Sequence, residues 1–536
     1  MIFANLFKKR AWAYYLIQAC VLALNVVFPA LMPKAYINWV KVEVALYMVF
    51  AGLSYGMLGF MLADAKGAKA RVCIVQSVLF TLLCGVPFLY LHGILTLGFG
   101  VDLRVVLTLT QVLLFVTVAI CHLLLAVRTI GLFEVKGRGK ELVIGITAAA
   151  LLIACVTPFT LSFFKRYVRP YSFLSEPVVF VNAEGYSVVF ATSALGTGEV
   201  VVVKDGVETT YCEEKQGIQY FHSQIHRVDV PEEALSSGEY YVRSTQVLSG
   251  SGDVLRTGKT ITGDKKRLQV YSGTGDLSFL TISDNQGAEK PTVRAVKNAA
   301  GKYDYDFVFM LGDHSETYND YEEDIIKSLL RPAAYASGGE LPVYFTLGNH
   351  EYRGDIAPCL WDLIPTPSVS GEFYYTFHMG DAFFTVLNYG SDHDDDYTAK
   401  YGGLVNHNAY RDKEYDWLSQ TMATAPYLGY RYNVCISHIP LLYQKGEGVE
   451  YAYEHVCTEC NKVHAYKYKE FSDLLIANGV QYVISGHTHK APALLQKEGC
   501  PYVNLNTGSH YKDHARFRNV LVRLKNGTLS YEVYEG

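Results

Sequence analysis

Five apolar stretches occupy the first third of the chain, at 11–32, 44–63, 72–91, 105–127 and 142–164. Each is about as long as the ~20 residues a helix needs to cross hydrocarbon. Each is apolar all round rather than on one face, and short polar connectors separate them. The pattern predicts five membrane-spanning helices in residues 1–170. A cleaved leader fits poorly, because its apolar core runs only ~7–15 residues and four more spans would not follow it. After 170 the period shortens. PVVFV, YSVVFAT, GEVVVVKDG and GEYYVRSTQV are β-branched and aromatic runs between Gly, Asp and Ser turns, and Asp205-Gly206 is a hairpin signal. Residues 171–268 therefore read as a β-sandwich of fibronectin type III kind.

From 269 to 536 strands alternate with helical stretches, and the strands end alike. LSFLTISD ends on Asp284, YDFVFMLGD on Asp313 and LPVYFTLGNH on Asn349 and His350. RYNVCISH ends on His438, and VQYVISGHTH on His487 and His489. In open α/β sheets ligands bind just beyond the carboxyl ends of strands. One polar ending is unremarkable, since an isolated HxH is more often a polar turn. Five in series form a constellation.

Charge divides the chain at the same place. Residues 1–170 hold 16 Lys+Arg against 5 Asp+Glu, and the remainder holds 31 against 47. Basic residues crowd the N-terminus (Lys8, Lys9, Arg10), the second connector (Lys66, Lys69, Arg71) and the fourth (Arg128, Lys136, Arg138, Lys140). The positive-inside rule puts these on the cytoplasmic side and everything after 164 outside. Lys165, Arg166 and Arg169 run against that assignment. The expectation is a multi-pass membrane protein with its large domain extracytoplasmic. No basic patch flanks the proposed site, which argues against a nucleic-acid substrate.

Carboxylate, amide oxygen and imidazole suit Zn, Mn or Fe better than thiolate-seeking ions or Ca. Asp284, Asp313, Asn349, His438, His487 and His489 are too many for one tetrahedral ion and enough for two, with a carboxylate able to bridge. The blocks GDHSE, GNHE, SHIP and GHTH, in this order on these strands, resemble the calcineurin-like metallophosphoesterase superfamily. With the β-sandwich in front, the chain looks most like the purple acid phosphatase branch. FYYTFHMGDAFFTVLN and the helical YDWLSQTM are similar to the intervening segments. The resemblance covers about 175–536.

It implies an α/β/β/α catalytic sandwich. Asp313 would bridge two divalent or trivalent ions, Asp284 and His489 would bind the first, and Asn349, His438 and His487 the second. His350 would serve as catalytic acid or donor at the leaving group, with Glu351 either orienting it or facing solvent. The reaction implied is phosphate-ester hydrolysis by metal-activated hydroxide. The membrane tether raises local concentration towards a lipid- or envelope-linked substrate, and a phosphate scavenger on the outer side would look the same. Two positions depart from the family pattern. Many relatives have D-x-H where this chain has Asp284-Asn285-Gln286. The purple enzymes place a tyrosine three residues after the bridging Asp, and here that residue is Glu316. Gln286 or Glu316 would complete the first ion's shell, with Glu316 preferred because an anion compensates a dication better. Loss of the tyrosine favours Zn or Mn over Fe(III). These departures also support the rival reading, a non-catalytic membrane receptor or regulator.

Three further features stand apart. EHVCTECNKVH has the spacing of a structural zinc site at Cys457 and Cys460, or of a disulfide. The six cysteines after residue 170 are an even number. DHDDDY, at 392–397, reads as a solvated charge run.

Overall fold

The computed structural model describes residues 170–536 apart from 222, 249–254, 301–304, 425–428, 446–447, 452–454, 458–460 and 509–515. The five expected spans therefore lie outside the described residues. Among those described, no helix is long and apolar enough to cross a membrane. Residues Pro170–Gly536 form one compact unit.

Its centre is a pair of stacked sheets. In the first, Leu277–Ile282, Phe307–Met310 and Pro342–Phe345 run parallel side by side. Arg518–Lys525 closes one flank antiparallel to Leu277–Ile282. In the second, Ala382–Leu387, Tyr432–Ser437, Tyr482–Ser485 and Val503–Asn506 run parallel, with antiparallel edges at Tyr375–Met379 and Ala493–Leu495.

The alternation of side chains along a strand builds the layers. Phe279, Phe307, Phe309 and Tyr344 point to the second sheet and meet Phe384, Val434, Ile436 and Ile484 in a shared core. Leu280, Ile282, Val308, Met310, Val343 and Phe345 point the other way. They pack under the helix Glu289–Ala300, the π-helical segment Tyr321–Leu330 and the helix Arg331–Ser337. On the far face of the second sheet, Phe383, Cys435 and Val483 meet Leu418 and Met422 of the helix His407–Ala423, and Phe471 and Leu475 of the helix Tyr468–Ala477. Both faces of the central parallel strands are buried, which explains why these runs read as continuously apolar. The layering is the expected α/β/β/α.

The β-rich segment has two layers as well, but they do not stand apart. Phe173–Val181 pairs parallel with Pro342–Phe345, Val179 opposite Pro342 and Phe180 opposite Val343. Gly185–Gly196 pairs with Phe173–Val181 in turn, so the first sheet extends into the sandwich. The opposing layer is Glu199–Lys204, Val207–Cys212, Glu239–Leu248 and Arg256–Thr262. Val188, Phe190 and Val228 of one layer meet Val200, Val202 and Val242 of the other. The hairpin at Asp205-Gly206 is present, with both residues at positive φ and Lys204 opposite Val207.

Cys212, Cys359, Cys435 and Cys500 are free thiols, so none of these four forms a disulfide. The Cys457 side chain and Cys460 lie outside the described residues, and the suggested zinc site with them.

Candidate metal centre

The strands of both sheets deliver their carboxyl ends to one place. Asp284, Asp313, His487 and His489 all sit at positive φ, between 51° and 68°. For residues with a Cβ this conformation is strained, and it persists where surrounding structure over-determines it. Each turn swings a ligand side chain off its strand axis. Close approach of the loops leaves no room for a side chain at Gly348, which lies against the Asp313 backbone and carboxylate. That is why GN follows the third strand.

Two groups of ligand atoms converge there. Asp313, His438 and His487 form one, and Asp284, Asp313 and His489 the other; within each group the atoms lie within 4.8 Å of one another. Asp313 is common to both. His489 Nε2 is 3.3 Å from Asp284 Oδ1, and His438 Nε2 is 3.1 Å from Asp313 Oδ2. His438 Nδ1 donates to the Leu311 carbonyl at 2.7 Å, which aims Nε2 at the centre. That Nε2 is buried and no hydrogen bond satisfies it. Asn349 Oδ1 faces acceptors, His487 Nδ1 at 3.1 Å and Asp313 Oδ2 at 3.2 Å. A cation between them resolves the clash of lone pairs. A flip of the amide would do so as well, and would give Arg353 Nη2 an acceptor at 2.7 Å. The stronger evidence for a cation is therefore His438, together with a donor set of oxygen and imidazole.

Without an ion the carboxylates draw a proton onto His438, and a cation at the centre would take that proton's place. Burial opposes the charge on Asp313, but His350 and His438 outweigh it and hold its carboxyl well below the usual range. Burial likewise opposes protonation of His438, and Asp313 and Asp284 overcome this, pushing the imidazole up to about 10. Burial holds His487 down at about 4, so its ring is neutral and free to ligate. Buried carboxylates and imidazoles packed this closely mark a functional site.

The other expected residues fall as follows. His350 Nε2 stands 3.7 Å from Asp313 Oδ2, while its Nδ1 donates to the Glu316 carbonyl at 2.9 Å. Glu316 is not brought into either ligand group. Its carboxylate is half exposed and 3.5 Å from His350 Nδ1, the ring nitrogen opposite the one that faces Asp313. Gln286 is the residue that reaches the first site, its amide nitrogen 3.2 Å from His489 Nε2 and 3.4 Å from His350 Nε2. Turn geometry decides this: Gln286 leaves the same tight loop as Asp284, whereas Glu316 lies beyond the curve. Glu351 neither orients His350 nor faces solvent. It is fully buried beneath the loops and binds backbone amides. His314 is buried against Asn285, Nδ1 to Oδ1 at 2.6 Å.

The acidic run 392–397 is not a solvated face. Asp392 and His393 are buried, and Asp392 Oδ2 approaches His487 Nε2 to 3.7 Å. Asp394 pairs with the buried Arg411 at 2.9 Å. Asp395 accepts from the His407 N–H at 2.6 Å and so caps the helix that starts there. Asp392 and Arg353 are site residues that the pattern of strand endings missed. Asp392 follows the strand Ala382–Leu387 by a short loop, and that position was the available signal.

Residues 277–491 match the family model for calcineurin-like phosphoesterases. No curated protein matches the chain. Solved structures similar to it include a dimetal phosphatase from Danio rerio, at 14% identity and TM-score 0.32, covering 48% of this chain and 98% of that one. A phosphopantetheinyl hydrolase from Mycobacterium tuberculosis is similar at 13% identity and TM-score 0.28, covering 45% and 92%. A protein serine/threonine phosphatase from Saccharomyces cerevisiae gives 12% and 0.25, covering 49% and 82%. The matched segment is a calcineurin-like metallophosphoesterase domain, and the enzyme class is phosphoesterase hydrolase.

Proposed function

We propose that this chain is a membrane-anchored phosphohydrolase that cleaves phosphate esters with two metal ions. The observation that carries the reading is the pair of ligand groups sharing Asp313, with His438 Nε2 buried between them and unsatisfied. Asp284, Asp313 and His489 would hold one ion, and Asp313, Asn349, His438 and His487 the other. When bound, such ions polarise a phosphoryl oxygen and supply hydroxide from water near neutral pH. The donor set suits Zn, Mn or Fe.

The protein's own residues orient the rest. His350 is held through Nδ1 by the Glu316 carbonyl, which turns Nε2 to the centre where the leaving oxygen departs. Asp284 accepts from the His487 N–H through both oxygens, at 2.9 and 3.1 Å, tying one metal loop to the other. A β-rich segment ahead of this domain supports kinship with the purple acid phosphatase branch, and Glu316 in place of the phenolate tyrosine implies a colourless enzyme. Five apolar stretches and their basic connectors support anchoring, with the domain outside. A tether raises local concentration towards lipid- or envelope-linked phosphate esters.

Hydrolysis of p-nitrophenyl phosphate by the full-length protein, with Mn or Zn added, tests this. Turnover should require metal and fall in D313N by more than the roughly 10–100-fold typical of losing an outer partner of a metal ligand. A folded protein that binds both ions and turns over no ester would instead support the receptor reading. Release from membranes by detergent but not by alkali or salt checks the anchor.

A further inference from the structure

The turn His350–Tyr352 ends on Arg353, whose backbone is fixed on both sides. Its N–H donates to the His350 carbonyl at 3.0 Å, and its carbonyl accepts from the Tyr318 N–H at 2.8 Å. The side chain folds back over the turn into the centre and is only 9% exposed. Nη1 donates to His350 Nε2 at 2.7 Å, and Nη2 lies 2.7 Å from the Asn349 side-chain amide. Nε is buried with no hydrogen-bond partner. The Tyr401 hydroxyl is the remaining neighbour, with Asp313 and Asp392 acting from farther off. Among the described residues no carboxylate makes an ion pair with this guanidinium.

A buried cation without a counter-anion is costly and demands compensation. The nearby carboxylates are committed elsewhere, Asp313 to both ligand groups and Asp392 to His487. Tyr401, Asp313 and Asp392 keep the guanidinium charged despite its burial, and an anion from outside would meet it at the edge of His350 that faces the centre. A planar fork of N–H donors is the group that suits a phosphate.

We propose that Arg353 is the anion clamp of this site: it donates to a non-bridging oxygen of the substrate phosphate and selects dianionic monoesters over diesters. The inference rests on the phosphoesterase reading. Near neutral pH a monoester carries close to two charges and three non-bridging oxygens. A diester carries one charge and two such oxygens. A fixed guanidinium discriminates on both counts, since it meets one more charge and one more acceptor. A merely structural Arg353, bracing His350 and Asn349, would treat both esters alike.

The test uses the full-length protein loaded with Mn, as wild type, R353Q and R353K. Binding of inorganic phosphate is measured by calorimetry, metal stoichiometry by elemental analysis, and kcat/KM on p-nitrophenyl phosphate and its bis ester. R353Q should weaken phosphate binding by roughly 10–100-fold, as loss of a charge-assisted hydrogen bond does. It should cut monoester kcat/KM by a similar factor, leave the diester within about threefold, and still hold two ions. R353K should recover part of the phosphate affinity as a point charge. Unchanged phosphate affinity in R353Q overturns the clamp, as does an equal fall on both esters. If the wild type binds phosphate and hydrolyses neither ester, the enzyme reading fails while the phosphate measurement still decides the clamp.

Discussion

Glu351 follows two site residues in sequence and lies beneath them in space. Its Oε2 accepts from the N–H groups of Asp313 and Gly348, at 2.8 and 2.7 Å. Its Oε1 accepts from the His314 N–H at 2.9 Å and the Tyr318 hydroxyl at 2.6 Å. One carboxylate thus fixes the loop that carries the shared ligand. Alanine there strands four buried donors, each costing about 1–3 kcal/mol. E351A should therefore lose more than ~3 kcal/mol in urea unfolding and weaken metal binding, and a shift below ~0.5 kcal/mol would mean the clamp is not formed. The side chains that converge on this centre were readable in the sequence as a series, because each ends an apolar run. Arg353 was not, because it ends a short turn whose partners are set by folding rather than by period. The work of Glu351 was not either, since its partners are mostly main-chain amides, which no residue pattern records.

The helix His407–Ala423 was anticipated from YDWLSQTM, but not the acid it buries. Glu414 Oε1 accepts from the Asn388 N–H at 2.5 Å, while Oε2 has no partner. Burial pushes its pKa up to about 8. The folded state therefore keeps a proton that the unfolded chain releases near the ordinary value of ~4.3. Between those two values the unfolded state binds fewer protons, so this group's contribution to stability falls as pH rises. E414Q removes the ionisation while keeping the shape. It should match the wild type near pH 4 and exceed it near pH 8, by on the order of 2–5 kcal/mol. Thermal melts of both proteins across that range check the sign, and parallel profiles would show that Glu414 is ionised in the fold. The same helix explains why the acidic run before it looked solvated. A charge run and a set of caps and buried ion pairs have the same composition, and only the position of the helix N-terminus separates them.

At the scale of the molecule, the change of pattern near 268 is real along the chain and absent across the sheet. Phe173–Val181 lies beside Pro342–Phe345, a partner far along the chain that no local periodicity could reveal. Phe180 is the residue that tests what this continuity does. It is fully buried, and it packs in the layer between the first sheet and its helices together with Val308, Met310 and Phe345. Those residues support the strands that end on Asp313 and Asn349. If the β-rich segment were an independent spacer, F180A would loosen that segment and leave the catalytic layers intact, giving two separate unfolding steps. If the sheet is one cooperative body, the cavity costs ~3–5 kcal/mol for the whole unit. Tryptophan fluorescence of a W12F/W39F background, which leaves Trp361 and Trp417 of the catalytic layers as the reporters, should then shift to lower denaturant together with loss of metal-dependent turnover. A single displaced transition seen by both probes is the expected result. A fluorescence transition left in place would mean that the β-rich segment can melt without the metal centre, and that the parallel pairing at Val343 transmits no stability to the ligand loops.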